Sequence, residues 1–242
     1  MNSPQKEVYR PLTWNTPVGW ERLSGPNGLS LYVSPQSDER AWGVRVRKTP
    51  RPQPITSILS DWEERLGNLG AKPTGTVSTS QKHGTTLTTQ EYVQGNKGST
   101  SIYITVGVQG LHVYEELWQV STSNVNRLAP LANRLKETVL WNPPSSYMDA
   151  KREFNLRSRN YKVKARYAMA QLEWGQAENA IVLFDEMVKE EPKRPMGWSG
   201  LIHAAHWYPT SSKTLSQLAE TIFKNHEKRK KIASAKSTNK SD

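Results

Sequence analysis

The pair of side chains whose spacing most resembles a metal site is His203 and His206, in the stretch "HAAHW" (203–207). Residues three apart in a helix share one face, so the two imidazoles could hold one metal ion. No carboxylate stands close by to complete the ligand set, and the neighbouring Trp198 and Trp207 offer the imidazole rings a packing environment. We therefore interpret the histidines as packing residues, and we predict no metal and no other cofactor.

Acid–base catalysis in the first half of the chain would have to rest on the following residues: Asp61, Glu63, Glu64, His112, Glu115 and Glu116. In a strand, His112 and Glu116 share one face while Glu115 lies on the other, which separates the two carboxylates. The acidic residues at 61–64 suit the solvated side of a helix. No serine or threonine has the context of a nucleophile elbow, and a chain without cysteine excludes thiol catalysis, disulfides and thiolate zinc sites. We predict no catalytic residues and no enzyme activity.

Basic charge is concentrated in the second half of the chain. The formal net charge is +11, and most of it belongs to residues 151–166, "KREFNLRSRNYKVKAR", and residues 224–242. Three interpretations stay open: a solvated helix face with a solubilising tail, a patch for an acidic protein or membrane surface, and a nucleic-acid footprint. Three aromatic side chains stand among or beside the charges, where they could stack on bases or pack within helices: Phe154, Tyr161 and Tyr167.

Strands dominate the first 141 residues. Before residue 55, three short strands are predicted: one that ends near Leu23, "LSLYV" (29–33) and "AWGVRVR" (41–47). Gly28 closes the first turn with a positive φ. A helix (55–70), four strands in series (74–81, 85–94, 100–108, 111–121) and a second helix (123–141) follow. Pro130 marks either a kink in that helix or its true first turn. Short turns pair consecutive strands antiparallel, and the helices cover the sheet as an α+β layer sandwich.

This order of elements resembles the PsbP-like superfamily, named for an extrinsic subunit of the photosynthetic oxygen-evolving complex. The resemblance rests on "TPVGWERLSGPNGLSLYVSP" (16–35), a Gly-Trp hairpin that leads into a small strand, and on the succession of elements over 55–141. It implies a protein-binding α+β domain without shared catalytic residues. The superfamily also includes small bacterial proteins that act as chaperones or adaptors for secreted effectors.

The stretch "LEWGQAENAIVLFDEMVKEEP" (172–192) resembles the end of the first helix and the second helix of a tetratricopeptide repeat. Four residues stand at consensus positions: the inter-helix Gly175, the small Ala180, the aromatic Phe184 and the terminating Pro192. The first helix (161–174) departs from the consensus, since Lys164 replaces a tryptophan and Ala168 a glycine. A second unit begins near Trp198, with "LSQLAETIFKNH" (215–226) as its second helix. Because so few repeats cannot close their own core, we expect another surface to complete it.

Together these observations predict four segments: a PsbP-like α+β domain (1–141), a linker (142–150), a tetratricopeptide-like helical domain (151–232) and a disordered basic tail (233–242). The predicted function is a non-enzymatic adaptor, chaperone or accessory subunit of a larger protein assembly, such as a bacterial secretion system. The alternative is a basic protein associated with nucleic acid or ribosomes.

We expect one or more protein partners, with acidic partners favoured by the charge, and both homo- and hetero-oligomers remain open. The expected contact residues are Lys162, Lys164, Arg166, Trp198, His203, Trp207 and Tyr208. The N-terminus resembles neither a signal peptide nor a transmembrane helix, so the expected location is cytoplasmic, or peripheral to a membrane as part of a complex.

Overall fold

The structure, a computed structural model, describes residues 6–9, 12–25, 28–35, 41–82, 84–96 and 99–209. The chain divides into two compact units, Met1–Ser145 and Ser146–Asp242. The predicted tail (233–242) and the predicted helix 215–226 lie outside the described residues.

The first unit contains ten strands and two helices in its described part. The strands are β1 Lys6–Tyr9, β2 Leu12–Asn15, β3 Glu21–Ser24, β4 Ser30–Val33, β5 Ala41–Lys48, β6 Lys72–Lys82, β7 Thr85–Gln94, β8 Thr100–Gln109, β9 His112–Ser121 and β10 Leu140–Trp141. The helices are α1 Ile55–Asn68 and α2 Val125–Thr138, the second preceded by a 3₁₀ turn over Thr122–Asn124.

Seven strands form one antiparallel sheet in the order β3-β4-β5-β9-β8-β7-β6, and a small second sheet has the order β1-β2-β10. Strands β6 to β9 pair in chain order, as their short connections predict. The long connection through α1 lets β5 pair with β9 instead of β6. Two-residue connections join β6 to β7 and β8 to β9, and Gly84 and Gly110 take the positive φ that such turns require.

Each face of the large sheet has its own buried cluster. On one face, Trp42 and Tyr114 pack with Leu128 and Leu135 of α2 and with Trp14 of β2. On the opposite face, the apolar residues of β8 pack against α1 through Ile58, Trp62 and Leu66. Alternation along the strands produces this division, because successive side chains point to opposite faces. The first unit therefore has a sheet between two layers.

The fold class predicted from the sequence is confirmed: an antiparallel sheet covered by helices, followed by an all-helical segment. The predicted positive φ of Gly28 is confirmed at 77°. The count of three strands before α1 is wrong, because the short β1 and β2 precede the predicted ones. The helix predicted over 123–141 ends at Thr138, and β10 follows it. Pro130 lies inside α2 and is not its first turn.

The second unit consists of four helices within its described residues: α3 Ser145–Leu156, α4 Tyr161–Glu173, α5 Ala177–Glu190 and α6 Pro195–Trp207. The predicted linker 142–150 is helical from Ser145 onward. Asn160 caps α4, since its side chain accepts hydrogen bonds from the backbone N–H groups of Lys162 and Val163.

Gly175 ends the first hairpin helix in the left-handed conformation, with φ 83°. Ala180 and Phe184 of α5 are buried against α4 and α6, and Pro192 follows the end of α5. A Cβ on Gly200 of α6 would lie only 2.3 Å from the nearest ring carbons of Phe184. Because Gly200 has no side chain, α6 can pack closely against α5 at this point. No helix among the described residues combines the length and the apolar character needed to cross a membrane.

Candidate functional site

An open groove in the second unit lies between α4 and α6. Its volume is about 440 Å³. The residues that line it are Lys162, Ala165, Arg166, Met169, Phe184, Met196, Ser199, Gly200 and His203. Gly200 and Ala165 have little or no side chain and line the bottom of the groove, while longer side chains line its edges.

Helical spacing brings the rim residues to one surface. Lys162, Arg166 and Met169 are four and three residues apart on α4, and residues at such intervals share a helix face. On α6, Ser199 and His203 are four residues apart, and the backbone carbonyl of Ser199 lies 2.8 Å from Nδ1 of His203. A carbonyl oxygen only accepts hydrogen bonds, so this contact places a proton on Nδ1. His203 is thereby oriented by its own helix.

Among the described residues, the lining of the groove contains two cationic side chains and no carboxylate. Lys162 and Arg166 are both exposed, and Met169 and Met196 supply apolar surface between and beside the charged groups. Arg166 is 69% exposed and donates to Glu153 of α3 at 2.6 Å. The groove thus offers positive charge beside flexible apolar side chains, the combination that suits an acidic, partly apolar segment.

A second cavity, of about 500 Å³, lies on the other side of α4 and has the opposite charge. It is lined by Ser146, Asp149, Ala150, Glu153, Arg166, Met169, Ala170 and Glu173. Arg166 and Met169 line both spaces, so α4 separates the basic groove from this acidic cavity. Glu153 lies in the acidic cavity and accepts a hydrogen bond from Arg166.

The structure divides the seven predicted contact residues into two groups. Lys162, Arg166 and His203 line the groove. Trp198, Trp207 and Tyr208 are half-buried and pack against the helical core. The Trp198 indole N–H donates to the carbonyl of Pro192 at 3.0 Å, and the Tyr208 hydroxyl donates to that of Leu172 at 2.8 Å. These contacts fix the two aromatic side chains as parts of the hairpin.

Lys164 does not belong to the exposed surface. It is 7% exposed, and its ammonium donates to Glu190 of α5 at 2.9 Å and lies 3.6 Å from Glu186. Lys164 lies on the side of α4 that faces the end of α5, and it does not line the groove. Lys164 therefore joins two helices of the hairpin where the repeat consensus has a tryptophan.

Among the described residues, no further metal ligand joins the histidine pair. His203 contacts the edge of the Trp207 ring at 5.5 Å, and His206 is exposed. Within the described residues, no three histidine, aspartate or glutamate side chains come together as a metal-binding group.

The sequence analysis did not single out Met169, Met196 and Ser199, although all three line the groove. The helical spacing from Lys162 through Arg166 to Met169 is visible in the sequence and could have identified the first. Met196 and Ser199 require knowledge of how α6 lies against α4, which depends on Gly200 and Phe184.

The candidate acid–base residues fall into two groups: His112, Glu115 and Glu116 of β9 are buried, whereas the acidic residues of α1 at positions 61, 63 and 64 are exposed. Glu115 accepts hydrogen bonds from Arg45 at 2.7 and 2.9 Å, from Arg47 at 3.1 Å and from Trp62 at 2.9 Å. Burial alone would raise the pKa of Glu115, but the hydrogen bonds and charges of the two arginines outweigh it and lower that pKa. These contacts make Glu115 a link between the sheet and α1.

Glu116 lies on the opposite face of β9. It accepts hydrogen bonds from the Trp42 indole at 2.8 Å and from the Tyr114 hydroxyl at 3.0 Å. Burial, together with the charge of Glu116 and this hydrogen bond, raises the pKa of Tyr114 well above its ordinary value. Because the β-sheet lies between Glu115 and Glu116, the two carboxylates cannot act on one substrate.

The aromatic residues among the basic charges are used for packing. The rings of Phe154 and Tyr167 stack at 4.8 Å between α3 and α4, and Tyr161 is buried at 7% exposure. With the exception of Lys164, the cations of residues 151–166 are exposed to solvent, whereas these aromatic rings pack within the helices.

Several solved structures are similar in fold to part of this chain, and three of them are described below. The solution structure of cyanobacterial PsbP (CyanoP) from Synechocystis sp. PCC 6803 aligns over 58% of this chain and 94% of its own, with 11% identity and a TM-score of 0.49. LpqN, involved in cell envelope biogenesis of Mycobacterium tuberculosis, aligns over 59% of this chain and 87% of its own, with 15% identity and a TM-score of 0.42. A protein of unknown function from Pseudomonas aeruginosa, a putative regulator, aligns over 59% and 99%, with 11% identity and a TM-score of 0.40. No protein-family model and no curated protein sequence matches the chain.

Proposed function

We propose that this chain is a non-enzymatic protein-binding adaptor, chaperone or accessory subunit of a larger protein assembly. Its binding site is the groove between α4 and α6, and the occupant is an extended acidic segment of a partner protein. One observation carries the proposal: the described residues that line the groove include Lys162, Arg166 and His203 together with two methionines, and none of them is a carboxylate.

The chemistry of the lining selects the kind of partner. Carboxylates of the segment would pair with Lys162 and Arg166, and its apolar side chains would contact Met169 and Met196. Methionine adapts its flexible side chain to different apolar shapes, which suits a site that accepts varied sequences. Complementary charge raises the rate of encounter and sets the orientation of the segment.

Arg166 can exchange its present partner for one on the bound segment. Its ion pair with Glu153 is exposed, at 69% for the arginine side chain and 34% for the glutamate. Pairs in such surroundings contribute about 0–1 kcal/mol, so little is lost when the guanidinium turns toward another carboxylate. Arg166 is long enough to serve both sides of α4.

The helical hairpin is, in this proposal, a tetratricopeptide-like unit, and the first unit is a PsbP-like domain that docks or chaperones a second protein. The positions of Gly175, Ala180, Phe184 and Pro192 support the first assignment. Repeats of this type bind partners along an extended concave surface, to which the α4–α6 groove would correspond.

Fluorescence anisotropy with a short labelled peptide of alternating glutamate and leucine tests the binding site. The native chain is expected to bind this peptide and to bind the matching lysine–leucine peptide far more weakly. The double variant Lys162→Glu, Arg166→Glu should lower the affinity by about tenfold or more, since two attractive pairs become repulsive. Lys193→Glu is the matched control, because Lys193 is exposed but does not line the groove.

Equal affinities of the native chain and the double variant would overturn the assignment of the groove. Stronger binding of a duplex DNA of random sequence, falling steeply with added salt, would replace the proposal with the nucleic-acid alternative. Binding of both peptides alike would show nonspecific apolar contact and would also count against it.

A further inference from the structure

The large sheet of the first unit ends in an open edge at β6. This strand pairs with β7 on one side, and within the described residues no strand follows it on the other. It is 11 residues long, and the first ten are exposed. The opposite edge, β3, has only 4 residues and carries Glu21 and Arg22. A long edge strand presents a row of backbone donors and acceptors to which another strand can add.

The hairpin geometry shows which backbone groups face outward. Lys82 and Thr85 flank the two-residue connection, and such a flanking pair is hydrogen-bonded. Because hydrogen-bonded and non-hydrogen-bonded pairs alternate along an antiparallel ladder, Ser80 and Ser78 also bond to β7. The N–H and C=O groups of Val77, Thr79 and Gln81 therefore point away from the sheet.

The second half of β6 lacks the features by which natural proteins protect a sheet edge. Pro73 and the register shift between Pro73 and Val77 disturb only the first half. The stretch "VSTSQ" (77–81) contains no charge, no proline and no glycine, and Val77 is 55% exposed. Its threonine and valine favour extended backbone. The outward N–H and C=O groups of this stretch thus have the extended geometry that pairing with another strand requires.

We propose that β6 is a self-association edge, at which the β6 strand of a second copy of this chain pairs antiparallel about a two-fold axis through Thr79. In this register Thr79 faces Thr79 of the second copy, and Val77 faces Gln81. Lys82 falls opposite Thr76, so no two lysines oppose each other. All outward backbone groups of Val77, Thr79 and Gln81 find partners, and the two sheets become one continuous sheet.

A second copy suits this edge because the stretch is self-complementary. A two-fold axis makes the same patch meet itself, which requires that no like charges and no bulky side chains coincide at the centre. Val77 to Gln81 meets that requirement with small or uncharged side chains throughout. The shared surface is a single strand from each copy, smaller than a stable dimer interface, so the association is weak and depends on concentration. It does not rest on the groove between α4 and α6.

Sedimentation velocity over a series of concentrations tests the proposal with charge variants at the two-fold position. T79K and T79E each place like charges opposite each other and should weaken self-association about fivefold or more. A mixture of the two variants should restore it, since unlike charges then face each other. T86K is the matched control, because Thr86 is exposed on β7, one strand in from the edge, and should associate like the native chain.

Cysteine crosslinking provides a second measurement, and the chain contains no other cysteine. Paired residues of adjacent strands have Cα atoms about 5.5 Å apart, within reach of a disulfide. Mild oxidation should therefore convert T79C to a covalent dimer faster than T86C, whose cysteines would lie roughly 20 Å apart, three strand spacings across and four residues along the joined sheet. A native chain that is monomeric at every concentration, or equal crosslinking of T79C and T86C, would overturn the proposal.

Discussion

At the scale of single residues, the buried carboxylate of Glu115 links the sheet to a helix. Four hydrogen bonds from Arg45, Arg47 and Trp62 satisfy a carboxylate that is only 1% exposed. Burying a carboxylate is costly unless charges and donors compensate it. Arg45 is itself buried, so the two ions depend on each other. The arrangement holds β5, β9 and α1 together, and it explains why an apparent acid–base residue is structural.

Glu115→Gln should destabilise the first unit by roughly 3–5 kcal/mol, because it leaves the buried Arg45 without its counter-ion. The glutamine amide would also place its own N–H donors against the N–H donors of Arg45, Arg47 or Trp62. Urea unfolding measures the loss. Glu63→Gln is the matched control on the exposed side of α1 and should change the free energy of unfolding by less than about 0.5 kcal/mol. Equal effects of the two substitutions would contradict the structural role of Glu115.

The same carboxylate should make stability depend on acid. The pKa of Glu115 is lowered in the folded chain from an ordinary value of 4.5. A lowered pKa contributes stability that is fully present above the ordinary value and is lost as the pH falls below it. The stability difference between the native chain and Glu115→Gln should therefore shrink progressively below pH 4.5. A difference that stays constant from neutral pH into this acid range would rule out the linkage.

At the scale of elements, the sequence predicted those strands and helices whose signal lies in neighbouring residues. The strands over 85–94 and 100–108 and the helix starting at 55 follow from alternation and helical spacing. The pairing of β10 with β2 could not be predicted, because β10 has 2 residues and its partner lies more than a hundred residues earlier. Likewise, the exposure expected for Lys164 failed because its partner Glu190 lies on the next helix.

Glycine substitutions should have opposite signs in two helices. Gly200→Ala places a methyl group 2.3 Å from ring carbons of Phe184, too close without a shift, and should destabilise the helical hairpin by about 1–3 kcal/mol. Gly67→Ala in α1 meets nothing within 4 Å and should stabilise its unit by about 0.5–1 kcal/mol. Thermal unfolding of both variants checks the difference. Loss of stability in both variants would contradict the gain expected from the higher helix propensity of alanine at position 67.

At the scale of the molecule, each unit presents one surface that its own core leaves open. The first has the β6 edge, where backbone groups face outward. The second has the basic groove between α4 and α6, lined by Lys162, Arg166 and His203. These two surfaces, as far as the described residues form them, are the ones on which the proposed interaction function rests.

The central claim, that the groove holds an acidic segment, is tested most directly by mapping where the glutamate–leucine peptide binds. Backbone amide chemical shifts of the isotope-labelled native chain would be followed by NMR during titration. We predict that the perturbed amides cluster at Lys162, Arg166 and Met169 of α4 and at Ser199 and His203 of α6. Perturbation confined to the exposed Arg152 of α3 and Arg157, which follows that helix, or to the first unit, would contradict the account.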